Sequence, residues 1–258
     1  IYLKIESANP SGSGKDRAVQ AMLDDFESQG LLKPGMHVVE GSSGSTGIAL
    51  AYQCRARGYR LHIVMPDDQA EEKRNLLRTL GATVHITQNC AISNKEHYVH
   101  KAKKLAEELG GVFINQFENL SNMQVHYKVT GPEILQQIKR LVRKDASIQQ
   151  QNRRRAIIQS SKHQSISAMM HQPTTLPLDA FVMSSGTGGT IAGISTFLKE
   201  VSPEIQVVLA DPHGSSLCSK VNYNVCYTKQ QAERTLRRHR YDSIVEGVGL
   251  DRVTANFD

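Results

Sequence analysis

The chain has no tryptophan, and aromatic residues make up only 5% of its 258 positions. So few aromatic faces argue against a platform that stacks the bases of single-stranded nucleic acid, which needs rings interleaved with cations. Cysteine is sparse too: Cys54, Cys90, Cys218 and Cys226 show no CxxC spacing, which excludes a zinc ribbon or a redox dithiol and makes a reducing, intracellular compartment the expectation. Cys218 and Cys226 read as two free thiols rather than a redox pair. No stretch approaches the roughly 20 apolar residues of a membrane-spanning helix. What is present is ordinary for a globular protein, with 39% apolar residues and 19 glycines. The length admits one large domain or two that share a cleft.

The formal charge of +6 comes from 31 Lys and Arg against 25 Asp and Glu. It is concentrated in residues 139–162, which carry eight Lys or Arg and one Asp, so the rest of the chain is nearly neutral. This stretch and its continuation to Thr175 are rich in Gln and Ser and read as a solvated insertion at about 139–175. The alternative is that Arg153, Arg154 and Arg155 meet an anionic surface. A second basic cluster, Arg234, Arg237, Arg238 and Arg240, reads as an exposed helix face. His97 and His100, three residues apart without a carboxylate or third ligand nearby, read as solvated, and no metal site is expected.

Outside the insertion, strands and helices alternate. IYLKI (1–5), MHVVE (36–40), RLHIVMP (60–66), ATVHIT (82–87), VFINQF (112–117), DAFVMSS (179–185) and QVVLADP (206–212) read as strands. Helices are predicted over 16–30, 47–57, 71–80, 94–109, about 123–140, 190–199 and 229–239. This alternation implies an α/β protein with mostly parallel sheets covered on both faces. In such folds ligands sit where strands run into helices.

Three small-residue loops lie at such places. In Asn9–Arg17 the string GSGK is no nucleotide P-loop, because Asn9 replaces the first glycine and Asp16 follows Lys15. A lysine opening a helix, however, sits at the positive end of the dipole, which lowers its pKa and favours Schiff-base chemistry. Glu40–Gly47 (EGSSGSTG) offers backbone N–H groups and hydroxyls around one point, a fit for a carboxylate or phosphate. Ser184–Thr190 (SSGTGGT) suits a phosphate, although Asp211 keeps a dinucleotide alternative open.

The strings NPSGSGKDR, EGSSGSTGIALA, NQFENLSN..VHYKVTGPEI, DAFVMSSGTGGTIAG, ADPHGS and VEGVG occur in this order. In them the chain resembles the cysteine synthase and cystathionine β-synthase family, within the tryptophan-synthase-β structural class (fold type II) of pyridoxal-phosphate enzymes. The SGSTG variant and the basic insertion are similar to a fungal mitochondrial cysteine synthase 2 branch. The resemblance covers all but the insertion and implies two three-layer αβα domains with pyridoxal 5'-phosphate in the cleft between them. Residues 16–130 would form the smaller, mobile domain, and 1–15 with 131–258 the larger, cofactor-binding one. Lys15 would hold the cofactor and then act as the base toward the substrate Cα proton. Gly186, Thr187, Gly188, Gly189 and Thr190 would cradle its phosphate, and Gly247 would line its other side. Ser42, Ser43, Gly44, Ser45, Thr46 and Gln116 would grip the substrate carboxylate.

The implied reaction is β-replacement: O-acetylserine loses its Cα proton and acetate, and sulfide attacks the resulting aminoacrylate to give L-cysteine. The implied partners are the amino-acid substrate, sulfide and a second copy in a homodimer, with no nucleic acid, in the mitochondrion or cytoplasm. A cystathionine β-synthase-like activity, a serine/threonine dehydratase and a catalytically degenerate scaffold stay open as alternatives. The family usually has Asn where Ser45 stands, bonded to the cofactor's ring hydroxyl. It also carries segments beyond both ends of the chain, including a Ser or Thr for the pyridine nitrogen, so the larger domain is expected to be incomplete.

Overall fold

The computed structural model describes residues 1–42, 44–159, 178–226, 247–250 and 252–257. Helix α1, Lys15–Ser28, buries Ala18, Val19, Met22 and Leu23 on one face and is followed by Gly30 at φ 71°, a left-handed turn that costs glycine nothing. Strands β1 (His37–Gly41), β2 (Arg60–Pro66), β3 (Thr83–Thr87) and β4 (Val112–Phe113) form one parallel sheet in the order β3-β2-β1-β4. Val39 lies opposite both His62 and Phe113.

Side chains alternate across this sheet. On one face Val38, Ile63, Met65 and Ile114 pack with α1, helix α2 (Ser45–Arg57) and Leu77 of helix α3 (Glu71–Thr79). On the other, Val39 and Val64 meet Ala102 and Ala106 of helix α4 (Tyr98–Glu108). Each fully buried aliphatic side chain here contributes about 1.5–3 kcal/mol. The chain then runs through helix α5 (Ser121–Val125), a π turn (His126–Thr130) and helix α6 (Gly131–Gln159). Strands β5 (Ala180–Met183) and β6 (Gln206–Leu209) form a second parallel pair. Helix α7 (Gly189–Val201) packs on it through Ile194 and Leu198, with Ile205 and Phe181. Helix α8 is Leu217–Tyr223.

The α/β alternation and the parallel sheets are as expected, with four departures. IYLKI is not a strand: it leads into a 3-10 turn at Glu6–Ala8, with Ile1, Leu3 and Ile5 exposed. Apolar alternation makes a strand only where a neighbour accepts its hydrogen bonds, and this segment is held instead by ion pairs, Lys4 to Glu133 at 3.1 Å and Glu6 to Arg17 at 2.9 Å. The fifth expected strand shrinks to two residues, because Asn115 turns left-handed at φ 58° directly after Ile114. The start of the insertion is not a loop: α6 continues through it to Gln159, since residues 139–159 contain Lys, Arg, Gln and Ala and no glycine or proline. Residues 160–175 and the expected helix at 229–239 lie outside the described residues. Helix α8 escaped prediction because seven residues carry too little periodicity. Its start is fixed by Asp211, whose carboxylate accepts from the Cys218 N–H at 2.8 Å.

Two close approaches set the relation between the sheets. A Cβ on Gly131 would sit 2.8 Å from the Phe197 ring, and one on Gly193 would collide with the Met123 carbonyl and lie 2.8 Å from the Tyr127 nitrogen. Helix α7 therefore rests almost backbone to backbone on α5 and the π turn. That contact brings residue 122 to the start of α7.

Candidate active site

Lys15 is the first residue of α1, on a loop pinned by its own polar side chains. Asp16 accepts from the Ser11 N–H and hydroxyl, both at 2.9 Å, and the Asn9 amide donates to Glu6 at 2.7 Å and to the Ser13 carbonyl at 3.0 Å. The Lys15 ammonium makes no hydrogen bond or ion pair among the described residues. Burial of the ammonium lowers its pKa, so a larger share of the amine is available as a nucleophile or base. Its charge in turn acts on His126, whose imidazole is driven down to about 3, first by burial and then by Lys15 and Arg17. His126 stays neutral and bridges two hydroxyls, Thr130 at 3.0 Å and Thr190 at 3.1 Å. Helices α1 and α7 both pack against α5, and the charge of Lys15 thus reaches a histidine that is bonded to the first turn of α7.

That helix begins in the glycine loop. No side chain caps it, which leaves its first-turn N–H groups for a ligand and favours an anion there. The three glycines are needed because the walls are close. A Cβ at Gly186 would lie 2.5 Å from the Gly247 carbonyl oxygen, and one at Gly189 would lie 2.5 Å from Oδ1 of Asn122. Gly188 adopts φ 94°, and its Cβ would lie 2.6 Å from that of Phe257. Thr187 accepts from the Asn122 amide at 2.9 Å, and its carbonyl accepts from the Thr254 hydroxyl at 2.7 Å. Gly247 thus runs directly over the loop.

The second loop is stabilised from within. Ser42 is buried, and its hydroxyl accepts from the N–H groups of Gly44 at 3.2 Å and Gly47 at 3.1 Å, so it holds the loop against the start of α2. Gly44 lies under Lys73, 3.3 Å from where its Cβ would be. Ser45 is exposed at the first turn of α2, and Ser43 lies outside the described residues. Thr46 donates to Oε1 of Gln116 at 2.5 Å, and Nε2 of Gln116 donates to the Gly41 carbonyl at 3.0 Å. The two residues expected to share one carboxylate are in contact, 70 positions apart in sequence.

Four residues of this region were given no role by the sequence, although three of them stand in the strings quoted above. The Asn122 amide donates to the Gln116 carbonyl and to Thr187, both at 2.9 Å, and so joins the second loop to the third. Asn256 donates to the carbonyls of Gln116 at 3.0 Å and Phe117 at 2.8 Å, and accepts from the Met123 N–H at 3.1 Å. His126 is the third. Glu40, fully buried at the end of β1, is the fourth. Elsewhere, His97 caps α4 by accepting from the Val99 N–H at 3.3 Å, and His100 bonds the Ile92 carbonyl at 2.7 Å. All four cysteines are free thiols. The cluster Arg234–Arg240 lies outside the described residues.

An uncapped, glycine-lined helix start and a buried lysine of lowered pKa are together what an enzyme that holds a phosphorylated aldehyde through a lysine would need. The chain belongs to the pyridoxal-phosphate dependent enzyme family, whose model matches residues 1–149 and 151–258. Its fold is that of fold type II members, and the family's cofactor is pyridoxal 5'-phosphate. Over its whole length it is 40% identical to "Cysteine synthase 2" of Neurospora crassa, covering 52% of that protein. It is 42% identical to a Saccharomyces cerevisiae protein that carries the words mitochondrial cysteine synthase in its name, covering 59% of it. The chain therefore spans between about half and three fifths of these relatives. A crystal structure of O-ureido-L-serine synthase superposes with a TM-score of 0.72 at 29% identity, over 99% of this chain and 64% of that one.

The residues fit the cofactor. The uncapped start of α7, kept free of side chains by Gly186, Gly188 and Gly189, accommodates a phosphate, and Lys15 has the unpaired, lowered-pKa amine that a carbonyl requires.

Proposed function

We propose that this chain carries the active site of a cysteine synthase, which makes L-cysteine from O-acetylserine and sulfide. When bound, pyridoxal phosphate supplies the electron sink that stabilises negative charge at the substrate Cα. The protein's part is to bind, orient and move protons. Lys15, held without a charged partner, takes the Cα proton of the substrate; its lowered pKa brings the free amine nearer to working pH. The first turn of α7 and the loop Gly186–Thr190 hold the phosphate, with Gly247 closing the other side. The Thr46 hydroxyl and the Gln116 amide, already bonded to each other, turn toward the substrate carboxylate together with the loop Ser42–Thr46. Closure of that loop over the site would exclude water and so protect the reactive three-carbon fragment from hydrolysis. Residues 16–130 act in this reading as the smaller domain that moves, against a larger one formed by 1–15 and 131–258.

The observation that carries this reading is the coincidence of the unpaired Lys15 amine with the uncapped glycine-lined start of α7, linked through His126 and Thr190. The name of the Saccharomyces cerevisiae relative supports a mitochondrial location, and the fungal cysteine synthases support sulfide as the acceptor. The test is spectroscopic. Protein supplied with pyridoxal phosphate is expected to show a visible band that borohydride fixes and Lys15→Ala abolishes. O-acetylserine is expected to shift that band, and sulfide to restore it with release of cysteine. A colourless wild-type protein refutes the enzyme reading. A band indifferent to O-acetylserine but shifted by serine with homocysteine refutes the choice of substrates.

A further inference from the structure

Three histidines stand on three adjacent strands, His37 on β1, His62 on β2 and His85 on β3. The parallel register places His62 opposite Val39 and His85 opposite Val64. Val39 and Val64 pack on α4, and His37 is two residues from Val39, so all three imidazoles lie on the α4 face of the sheet. They are bonded in a row. Nδ1 of His37 meets Nε2 of His62 at 2.9 Å, and Nδ1 of His62 meets Nε2 of His85 at 3.1 Å, with ring centroids 5.0 and 5.4 Å apart. The row begins at the first residue of β1, whereas the substrate loop follows the last, and no residue of the proposed reaction bonds to it.

Hydrogen-bond chemistry limits the charge such a row can hold. A neutral imidazole carries one N–H and one bare nitrogen, and an imidazolium carries two N–H groups. Each N···N bond needs a single hydrogen between its two nitrogens. With both bonds intact the row therefore has room for two shared hydrogens and one on each outer nitrogen, Nε2 of His37 and Nδ1 of His85. That makes four, one more than the three of the neutral row. The first added proton keeps both bonds, and its charge can sit on any of the three rings when only the shared hydrogens move. A second added proton sets two N–H groups against each other across one of the bonds and breaks it.

Burial lowers both His62 and His85, and His62 is lowered further by His37 and His85, in keeping with a row that resists a second charge. The charged groups on the elements around it are Arg60 on β2, opposite His37, and Lys101, Lys103, Lys104, Glu107 and Glu108 on α4. Lys101 pairs with Glu96 at 2.9 Å and Lys104 with Glu108 at 3.6 Å. None of these groups is a cause of the shifts at His62 and His85, and among the described residues no carboxylate pairs with the row.

We propose that His37, His62 and His85 form a one-proton latch across β1, β2 and β3, which keeps both bonds through its first protonation, opens at the second and so loosens the edge strand β3 in acid. β3 is the strand at risk because it is paired on one side only, at the end of the order β3-β2-β1-β4. The latch belongs to the sheet and stands whether or not the reading of the active site holds.

The test uses the full chain loaded with pyridoxal phosphate and labelled with nitrogen-15 histidine, whose ring-nitrogen shifts separate neutral tautomers from imidazolium; His37→Gln and His85→Gln assign the signals. In wild type the three rings together are expected to gain one proton between pH 7.5 and about 5, where three independent histidines with the ordinary pKa of about 6.5 would gain nearly three. In His62→Ala, which removes both bonds, His37 and His85 are each expected to gain a full proton. Linkage supplies an independent readout. At pH 5 the unfolded chain holds three protons at these positions and the folded row one, whereas folded and unfolded His62→Ala both hold two, so stability is lost as pH falls in wild type alone. The unfolding constant of wild type relative to His62→Ala, read by urea titration, is expected to rise by up to roughly a hundredfold per pH unit below about pH 6, and His126, alike in both, cancels. Amide protection is expected to fall in β3 before β1 over the same range. Nearly three protons gained by the wild-type rings in one ordinary transition, or a wild-type to His62→Ala ratio that stays flat with pH, overturns the proposal. If His62→Ala does not fold, the wild-type proton count decides, together with His85→Ala, whose remaining His37 and His62 pair is expected to gain one proton and not two.

Discussion

Replacing Asn256 with alanine tests whether the three loops are held as one unit. Its amide donates to the carbonyls of Gln116 and Phe117, its carbonyl accepts from the Met123 N–H, and it is almost wholly buried. In Asn256→Ala the Gln116 carbonyl keeps the Asn122 amide at 2.9 Å, but the Met123 N–H and the Phe117 carbonyl lose this partner. Leaving two buried backbone groups unpaired costs about 1–3 kcal/mol each, so about 3 kcal/mol in all is a moderate expectation. For a chain of this size 1 kcal/mol moves the melting temperature by roughly 2–4 °C, which predicts a fall of roughly 6–12 °C, read by circular dichroism on the cofactor-loaded protein. Asn256→Asp separates the hydrogen-bond argument from simple loss of packing. It keeps the shape but faces two carbonyl oxygens with a carboxylate, and is expected to be less stable than the alanine variant at pH 7 and to recover on acidification. A melting temperature within about 2 °C of wild type for Asn256→Ala, or an aspartate variant more stable than the alanine one, would refute the reasoning.

Gly188→Ala is expected to weaken cofactor binding by at least roughly tenfold in absorbance titrations, because φ 94° is strained for alanine and its Cβ would press on Phe257. Thr46→Val removes the hydroxyl that donates to Gln116; it is expected to raise KM for the amino-acid substrate by roughly tenfold while the cofactor band stays unchanged. His126 has a folded pKa of about 3, below the 6.5 of the unfolded chain, so only the unfolded state takes up this proton between those values. Stability is then lost as pH falls from 6.5 toward 3, by up to about 1.4 kcal/mol per pH unit from this group. Urea midpoints measured between pH 4 and 7 are expected to fall less steeply for His126→Gln than for wild type, even though the variant starts lower; equal slopes would count against it.

The sequence disclosed those parts of the fold whose causes are local. The strand at 60–66 coincides with β2, because Gly58 turns the chain just before it and a row of β-formers follows. The glycine loops were legible for the same reason: a backbone that must approach a ligand or another segment closely needs glycine at fixed places, as the contacts of Gly186, Gly188 and Gly189 bear out. The IYLKI segment shows the limit of pattern, since alternation without a neighbouring strand has nothing to pair with. The extension of α6 shows the opposite limit, where a polar composition that reads as a loop is also one that nothing prevents from being helical.

The site was legible only halfway, and the division follows the kind of bond involved. Lys15, Gln116 and Thr46 stand in strings that can be recognised, but the groups that hold them in place make side-chain bonds across long separations. Asn256 reaches the Gln116 carbonyl from 140 residues away, and Asn122 reaches Thr187 from 65. An asparagine amide bonded to a distant carbonyl imposes no periodicity and no turn on its own neighbourhood, so nothing local marks it. Glu40 makes the same point from the side of charge. Nothing in its neighbourhood in the sequence marks it as buried, yet the folded chain encloses it completely and burial raises its pKa to about 8. The folded chain therefore places less negative charge next to the EGSSGSTG loop than the residue type alone would give it.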